Sequence, residues 1–328
     1  MDNLRSTITT KILSNIPPRV KPIDYLMETL DISRESVYRR IRGDISFTLE
    51  EIAKLSVDLG FSVDELIIAD MHSRVFFDLH VTNEQDPSEI FLTMFQQYFF
   101  CVFNTLQVKN IESTMILNHI PSEFVIFFDH LFKFSYYRWM HQNQEASLKY
   151  FYADVALPDK LLRFKQSAIE NMKKIQMNTI IFDPNIFYNL NQEILYYHKR
   201  RLINEEEFSQ LKDDLFKLID LSENVAQTGY CKVIDTRYNL YLSSLNIESS
   251  SRYVRCDERS RSQFFVSSLE PLSVTNPTLC AIHKKWLDSM RKYATLITQS
   301  NEILQVRYFN KQRSLINENS ETLYAVSL

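Results

Sequence analysis

Only three of the 328 residues are glycine, at positions 43, 60 and 229, and this scarcity restricts the sites that the chain can form. Phosphate-binding loops, dinucleotide-binding turns and nucleophile elbows each need two or more glycines close together, so none of them can form here. The long apolar runs of the sequence also repeat with helical spacing. Together these features predict a mainly α protein.

Charge and cysteine usage narrow the class of protein further. The formal net charge is −4, so any nucleic-acid binding must come from a local basic surface rather than from the charge of the whole molecule. The cysteines are far apart and include no Cys-x-x-Cys pair, so we expect free thiols in a reducing compartment. They are Cys101, Cys231, Cys256 and Cys280. The first residues lack the long apolar core of a signal peptide, which favours a cytoplasmic protein.

The stretch 90–108 contains no charged residue and approaches the length of a membrane span. Its Gln96, Gln97, Asn104 and Gln107 side chains would be costly in hydrocarbon. We therefore interpret it as a buried helix, and no contact with a membrane is expected.

Helix-start signals recur within the first seventy residues. Ser33 can accept a hydrogen bond from the free N–H groups at the start of the helix after it. Thr48 and Glu51 are spaced as a capping box, and Ser62 and Glu65 as a second one. Two of the three glycines lie just past two of these helices, where a left-handed C-terminal cap favours glycine.

These signals predict five helices, near residues 3–15, 22–30, 34–42, 49–59 and 63–68. Only residues 31–33 connect the second helix to the third. Two helices joined by so short a turn, with the second one exposed, form the helix-turn-helix arrangement.

The third predicted helix has an apolar side and a charged side. Val37 and Ile41 form the apolar stripe, and Glu35, Arg39 and Arg42 lie opposite it. The helix and its flanking residues carry four arginines against one acid, a net charge of +3. Arginine suits guanine edges and phosphates, and glutamate can accept a hydrogen bond from a cytosine amine. The alternative is a charged face that only contacts solvent, since charge runs are commonly solvated.

The segment 25–67 resembles the Xre/Cro-type helix-turn-helix family of repressors in its caps, apolar positions and spacing. The resemblance implies binding of double-stranded DNA, with residues 34–42 as the recognition helix in the major groove. The expected DNA-contacting residues are Lys21, Arg34, Glu35, Ser36, Tyr38, Arg39, Arg42 and Thr48.

The segment departs from the family pattern at three positions. Met27 stands where the family usually has alanine, Asp31 where it usually has glycine, and Ile41 is one place later than the usual apolar position. Residues 1–70 contain nine Lys/Arg and twelve Asp/Glu, a net charge of −3, which predicts modest non-specific affinity for DNA.

Beyond the first domain, proline and capping signals predict five long helices between about 87 and 227. Residues 237–245, 251–257 and 262–268 alternate with period two, which predicts a small antiparallel β-meander, and two further helices follow. The expected organisation is a helix-turn-helix domain at 1–70, a linker at 71–88, a helical bundle or array at 89–228, an α+β region at 229–317 and a flexible tail at 318–328. Segments 118–124 and 276–316 resemble an effector region found behind Xre-type domains in Bacteroidetes regulators.

The sequence shows no catalytic or metal-binding motif. No two of the seven histidines lie four residues apart, and no serine has a glycine-flanked turn. We interpret each histidine, His119 among them, as a satisfied core or surface residue. No catalytic residue, cofactor or metal is expected, and the chain is not predicted to be an enzyme. The aromatic-rich helices could line a small-molecule pocket, but a helix core with a dimer face is the favoured interpretation.

These features predict a cytoplasmic transcriptional regulator that acts as a homodimer, since one short helix contacts too few base pairs for useful specificity. A small-molecule or protein effector is a further candidate partner. One alternative is an antitoxin-like or scaffold interaction protein whose DNA-binding domain only autoregulates. Another is an enzyme with an unrecognised site in residues 87–317.

Overall fold

The computed structural model describes residues 2–17, 20–59, 86–103, 110–143 and 150–317, together with the single residues 61, 63, 75 and 77. The chain divides into two compact units, residues 1–76 and 77–328. Several predicted features lie outside the described residues: nearly all of the fifth helix at 63–68, the Ser62–Glu65 box, Gly60, most of the linker and the tail at 318–328.

The first unit contains four described helices: α1 (Asp2–Asn15), α2 (Pro22–Leu30), α3 (Arg34–Ile41) and α4 (Leu49–Leu59). Their inward-facing apolar residues form one buried cluster: Ile12, Ile16, Leu26, Val37, Ile52, Leu55 and Phe61. The predicted caps of α3 and α4 are confirmed. Ser33 Oγ accepts from the Ser36 amide at 3.3 Å. In the Thr48–Glu51 box, the Thr48 amide donates to Glu51 Oε2 at 3.0 Å and the Glu51 amide donates to Thr48 Oγ1 at 3.2 Å.

Two residues with positive φ close the turns on either side of α3. Gly43 follows the helix with φ +82°, as its position in the sequence predicted. Asp31, in the turn between α2 and α3, has φ +54° and caps α2 through its own amide. This is the position where the helix-turn-helix family usually has glycine. Aspartate is one of the few other residues that occupies the left-handed region without a large penalty.

Gly43→Val should lower the stability of α3 by about 1–2 kcal/mol, because a β-branched residue is strained at positive φ. A Cβ atom built at Gly43 meets no atom within 4 Å, so the backbone penalty acts without a steric clash. Hydrogen exchange of the α3 amides in the full-length protein measures the effect. Asp31→Gly removes the smaller positive-φ penalty of an aspartate in the turn before α3, so it should slow the exchange of the α3 amides. Unchanged exchange in Gly43→Val would show that the left-handed turn contributes nothing to α3.

The second unit combines helices with a mixed sheet. Its helices are α5 (Pro87–Phe103), α6 (Ser122–Val125), α7 (Asp129–Asn143), α8 (Asp159–Met172), α9 (Ile186–Lys199), α10 (Glu205–Thr228), α11 (Pro277–Arg291) and α12 (Glu302–Asn317). Its strands are β1 (Ile111–Leu117), β2 (Ile175–Phe182), β3 (Tyr230–Cys231), β4 (Thr236–Ser243), β5 (Ser251–Cys256), β6 (Arg259–Phe265), β7 (Pro271–Val274) and β8 (Ala294–Leu296). A short 3₁₀ turn covers Tyr152–Asp154.

The strands form one eight-stranded sheet in the order β3-β4-β2-β1-β5-β6-β7, with β8 paired to β4. The central strands β1, β2 and β4 are parallel, so that Met115 lies beside Ile180 and Ile180 beside Leu240. Strands β5, β6 and β7 extend the sheet in antiparallel fashion. Helices connect β1 to β2 and β2 to β4, as crossovers between parallel strands require.

The predicted mainly α fold, with a helical bundle and a separate small β-meander, is therefore wrong. The sheet takes β1 and β2 from residues 89–228 and the remaining strands from 229–317, so both ranges build one unit. Strand β2 is buried continuously from Asn178 to Phe182. Such a run lacks period-two alternation, and its apolar residues cannot be told from a buried helix by spacing alone.

Helices cover both faces of the sheet. On one face, apolar residues of α5, α7, α8, α9, α10 and α12 pack on Met115, Ile180 and Leu240 in the main core. On the other face, Leu287 of α11 packs against Ile116 and Ile181. Within the described ranges, no helix has both the length and the apolar character needed to cross a bilayer.

The described part of the uncharged stretch, residues 90–103, lies in α5 and has an internal role. Its Phe91, Phe95, Tyr98 and Phe99 side chains are at most 2% exposed within the main core. The lack of charged residues in this stretch therefore no longer supports a dimer face, because packing inside one chain already explains it.

Candidate nucleic-acid interface

Helix α3 turns its apolar stripe inward and its charged side outward. Val37 is buried in the core of the first unit, and Ile41 packs partly buried against it. On the opposite side, the exposed residues include Glu35, Tyr38 and Arg39. The stripe thus anchors the helix by burial, and the expected DNA-reading side chains extend from a fixed backbone.

Contacts between helices hold α3 and α2 against α4. Arg40 forms a two-pronged ion pair with Glu51, with Nε–Oε2 at 2.9 Å and Nη2–Oε1 at 2.7 Å. Both side chains are largely buried, at 12% and 15% exposure. The Tyr25 hydroxyl of α2 donates to Asp58 of α4. Burial, followed by the bond to Asp58, raises the pKa of Tyr25 to about 12. Planar two-pronged pairs fix orientation as well as distance, so α3 has a defined direction relative to α4.

Arg40 is therefore a structural residue, and the four arginines of this region are not equivalent. The sequence offered one signal for this, because Arg40 lies next to the apolar stripe, three residues after Val37. The same Glu51 also accepts from the Thr48 amide, so one carboxylate caps α4 and holds α3.

Arg39 is the arginine most available to an external partner. Its side chain is exposed, and the guanidinium forms no ion pair or hydrogen bond with any described residue. Arg34 instead pairs with Asp24 at 3.1 Å, and Arg42 lies 3.6 Å from Asp44. Both pairs are exposed and contribute little to stability, so either arginine can exchange its partner for a phosphate at low cost.

The remaining expected residues lie around α3. Lys21 is exposed at the N-cap position of α2, where its side chain makes no capping bond. Ser36 is half-buried, and its hydroxyl accepts from Ser33 Oγ at 3.0 Å. Thr48 is exposed at the start of α4, with its hydroxyl oxygen engaged in the capping box. Lys21 is thus free to reach a phosphate, whereas Thr48 already serves a structural role.

The surface around α3 combines a cationic side chain with hydrogen-bonding and apolar groups on one rigid helix. This arrangement can donate two hydrogen bonds from a single guanidinium and accept through Glu35. Among the described residues, no group of three or more His, Cys, Asp or Glu side chains is placed to hold a metal ion. No protein-family model matches the sequence, and a search of curated proteins found no significant match.

Proposed function

We propose that this chain is a sequence-selective DNA-binding transcriptional regulator in which α3 enters the major groove. The observation that carries the proposal is Arg39, an exposed arginine without an ion pair among the described residues, opposite the buried Val37. The short turn before α3 and the capped helices around it agree with the helix-turn-helix resemblance. The proposed site of action is the cytoplasm. The proposed active form is a homodimer, because two DNA half-sites supply the specificity that one recognition helix lacks.

In this proposal the residues around α3 divide into base-reading and phosphate-binding groups. Arg39 donates two hydrogen bonds to O6 and N7 of one guanine, a geometry that lysine cannot reproduce. Glu35 accepts from a cytosine amine, and Tyr38 makes apolar contact with a base edge or sugar. Lys21, Arg34 and Arg42 bind phosphates, which sets the register of α3 without reading sequence.

The test compares Arg39→Ala with Lys21→Ala. A cognate site is first selected from a random DNA pool with the full-length protein, and affinities are then measured for the cognate site and for random DNA. Arg39→Ala should cost about 1–3 kcal/mol at the cognate site and relax base preference at one position. Lys21→Ala should weaken binding to all sequences alike and reduce the salt dependence by about one unit of slope.

Lys54→Ala, an exposed cation of α4 outside the proposed interface, is the charge-matched control and should leave base preference unchanged. Equal weakening of cognate and random DNA by Arg39→Ala would show that α3 does not read bases. If no DNA is bound selectively by the wild type, or if neither change affects binding, the first unit is a protein-interaction module, as in an antitoxin-like or scaffold component.

A further inference from the structure

The second unit contains a cavity of about 480 Å³ at one edge of its sheet. Asn118 and His119, which directly follow β1, line it together with Ile186 at the start of the helix after β2. The cavity therefore lies at the carboxyl ends of two parallel strands, where open α/β sheets bind their ligands. Its volume falls within the range of small-molecule sites.

His119 lines this cavity and carries one hydrogen-bond acceptor that no described residue satisfies. Its Nδ1 lies 3.2 Å from Asn118 Oδ1 and 3.2 Å from Ser250 Oγ. The Ser250 hydroxyl donates to Asn118 Oδ1 at 2.8 Å, so both oxygens are left to accept from His119. The Nδ1 atom thus carries the proton. Burial, with the charge of Arg138, lowers the pKa of His119 to about 4, so Nε2 is an unprotonated acceptor at neutral pH.

That Nε2 atom is buried and has no hydrogen-bond partner among the described residues. The interpretation of His119 as a satisfied histidine is therefore wrong for this nitrogen. Gln192 of α9 lines the same cavity, and its buried Nε2 also lacks a described partner. Buried polar atoms without partners are uncommon and costly, so an unsatisfied acceptor and an unsatisfied donor on two residues that line one cavity point to a ligand that satisfies both.

The charged groups of the cavity neutralise each other. Arg138 of α7 pairs with Glu193 of α9 and donates to Ser268 Oγ at 3.2 Å. The remaining wall includes apolar side chains of α5, α7 and α9, among them Phe95, Phe132 and Leu190. With His119 neutral, the cavity has no net charge, which favours an uncharged ligand over an organic anion.

We propose that this cavity binds a small uncharged organic molecule with an apolar body, whose hydroxyl donates to His119 Nε2 and which accepts from Gln192 Nε2. The apolar wall buries the body of the ligand, and the two polar atoms fix its orientation. This binding does not depend on any property of α3, so it stands apart from the DNA-binding proposal.

The test uses 2-naphthol and 2-methoxynaphthalene as probes, with the full-length protein in isothermal titration calorimetry at pH 7. The two share one ring system, but only the first has a hydroxyl donor. We expect 1:1 binding, with 2-naphthol at least tenfold tighter than 2-methoxynaphthalene, as one buried hydrogen bond provides. His119→Leu should abolish this preference. His198→Leu, a histidine change outside the cavity lining, should leave it intact.

Gln192→Leu provides a second variant in case His119→Leu fails to fold, which circular dichroism would reveal. It should weaken 2-naphthol binding severalfold. Absence of 1:1 binding by 2-naphthol, equal affinity for both probes, or a hydroxyl preference that survives His119→Leu would each overturn the proposal.

Discussion

Glu123→Ala should lower the free energy of unfolding of the second unit by about 3–5 kcal/mol, because it leaves the Arg252 charge buried without a partner. Both side chains are 1% exposed, and they form an ion pair through Arg252 Nη2 and Glu123 Oε1. The Tyr98 hydroxyl donates to Glu123 Oε2 at 2.6 Å. Arg252 also donates to the Tyr98 carbonyl at 3.1 Å and to Ser113 Oγ at 3.3 Å. The network thus joins α5, α6, β1 and β5.

The second unit carries its own reporter for this measurement. Both tryptophans of the chain lie in it, Trp139 in α7 and Trp286 in α11. Urea unfolding followed by tryptophan fluorescence therefore reports on the second unit and not on the first. The change is read as a shift in midpoint at constant slope.

A matched control lies on the same pair of strands. Glu112 of β1 pairs with Arg255 of β5 at 2.9 Å, but these side chains are 48% and 53% exposed. Glu112→Ala should cost less than about 1 kcal/mol, since solvent screens the pair. A Glu123→Ala cost no larger than that of Glu112→Ala would contradict the prediction.

A double replacement separates the loss of a partner from the value of the pair itself. Glu123→Leu with Arg252→Met removes both charges and keeps apolar volume, so it should be much less destabilising than Glu123→Ala. In this double variant the Tyr98 hydroxyl loses its acceptor Glu123 and Ser113 loses its donor Arg252, so some loss of unfolding free energy should remain.

Local signals in the sequence predicted the first unit well. Caps such as Ser33 and the Thr48–Glu51 box act over three residues, and their geometry follows from spacing alone. The outward position of Arg39 followed from the 100° helical repeat relative to Val37. The positive φ of Asp31 did not, because aspartate also occupies ordinary backbone conformations.

The second unit could not be predicted in the same way. Ile116 of β1 and Ile181 of β2 lie side by side in the sheet although they are 65 residues apart in the sequence, and nothing local in either strand encodes the pairing. The Glu123–Arg252 pair spans 129 residues. In the sequence, a charged residue that becomes buried cannot be distinguished from one that stays on the surface until its partner is known. Likewise, the sequence does not show which nitrogen of His119 lacks a partner.

Acidification should destabilise the second unit between pH 6.5 and pH 4, in part through His283 of α11. This histidine is 4% exposed between two serines, with Nδ1 2.8 Å from Ser262 Oγ and Nε2 2.9 Å from Ser251 Oγ. Burial lowers its pKa from 6.5 to about 4. Between these values the unfolded chain binds a proton that the folded chain does not, so stability is fully present above pH 6.5 and falls as the pH falls.

The expected loss from His283 is about 1.4 kcal/mol per pH unit, reaching about 3 kcal/mol at pH 4. His119, whose pKa is also lowered to about 4, acts in the same direction. Urea midpoints from circular dichroism at pH 4.5 to 7.5, compared between wild type and His283→Gln, measure the effect, because glutamine can bond both serines but does not titrate. The variant should retain a shallower pH dependence due to His119, and most carboxylates titrate below this window. Identical slopes for the two proteins would mean that His283 accepts its proton in the folded state, and that α11 is not held on β5 and β6 by a neutral imidazole.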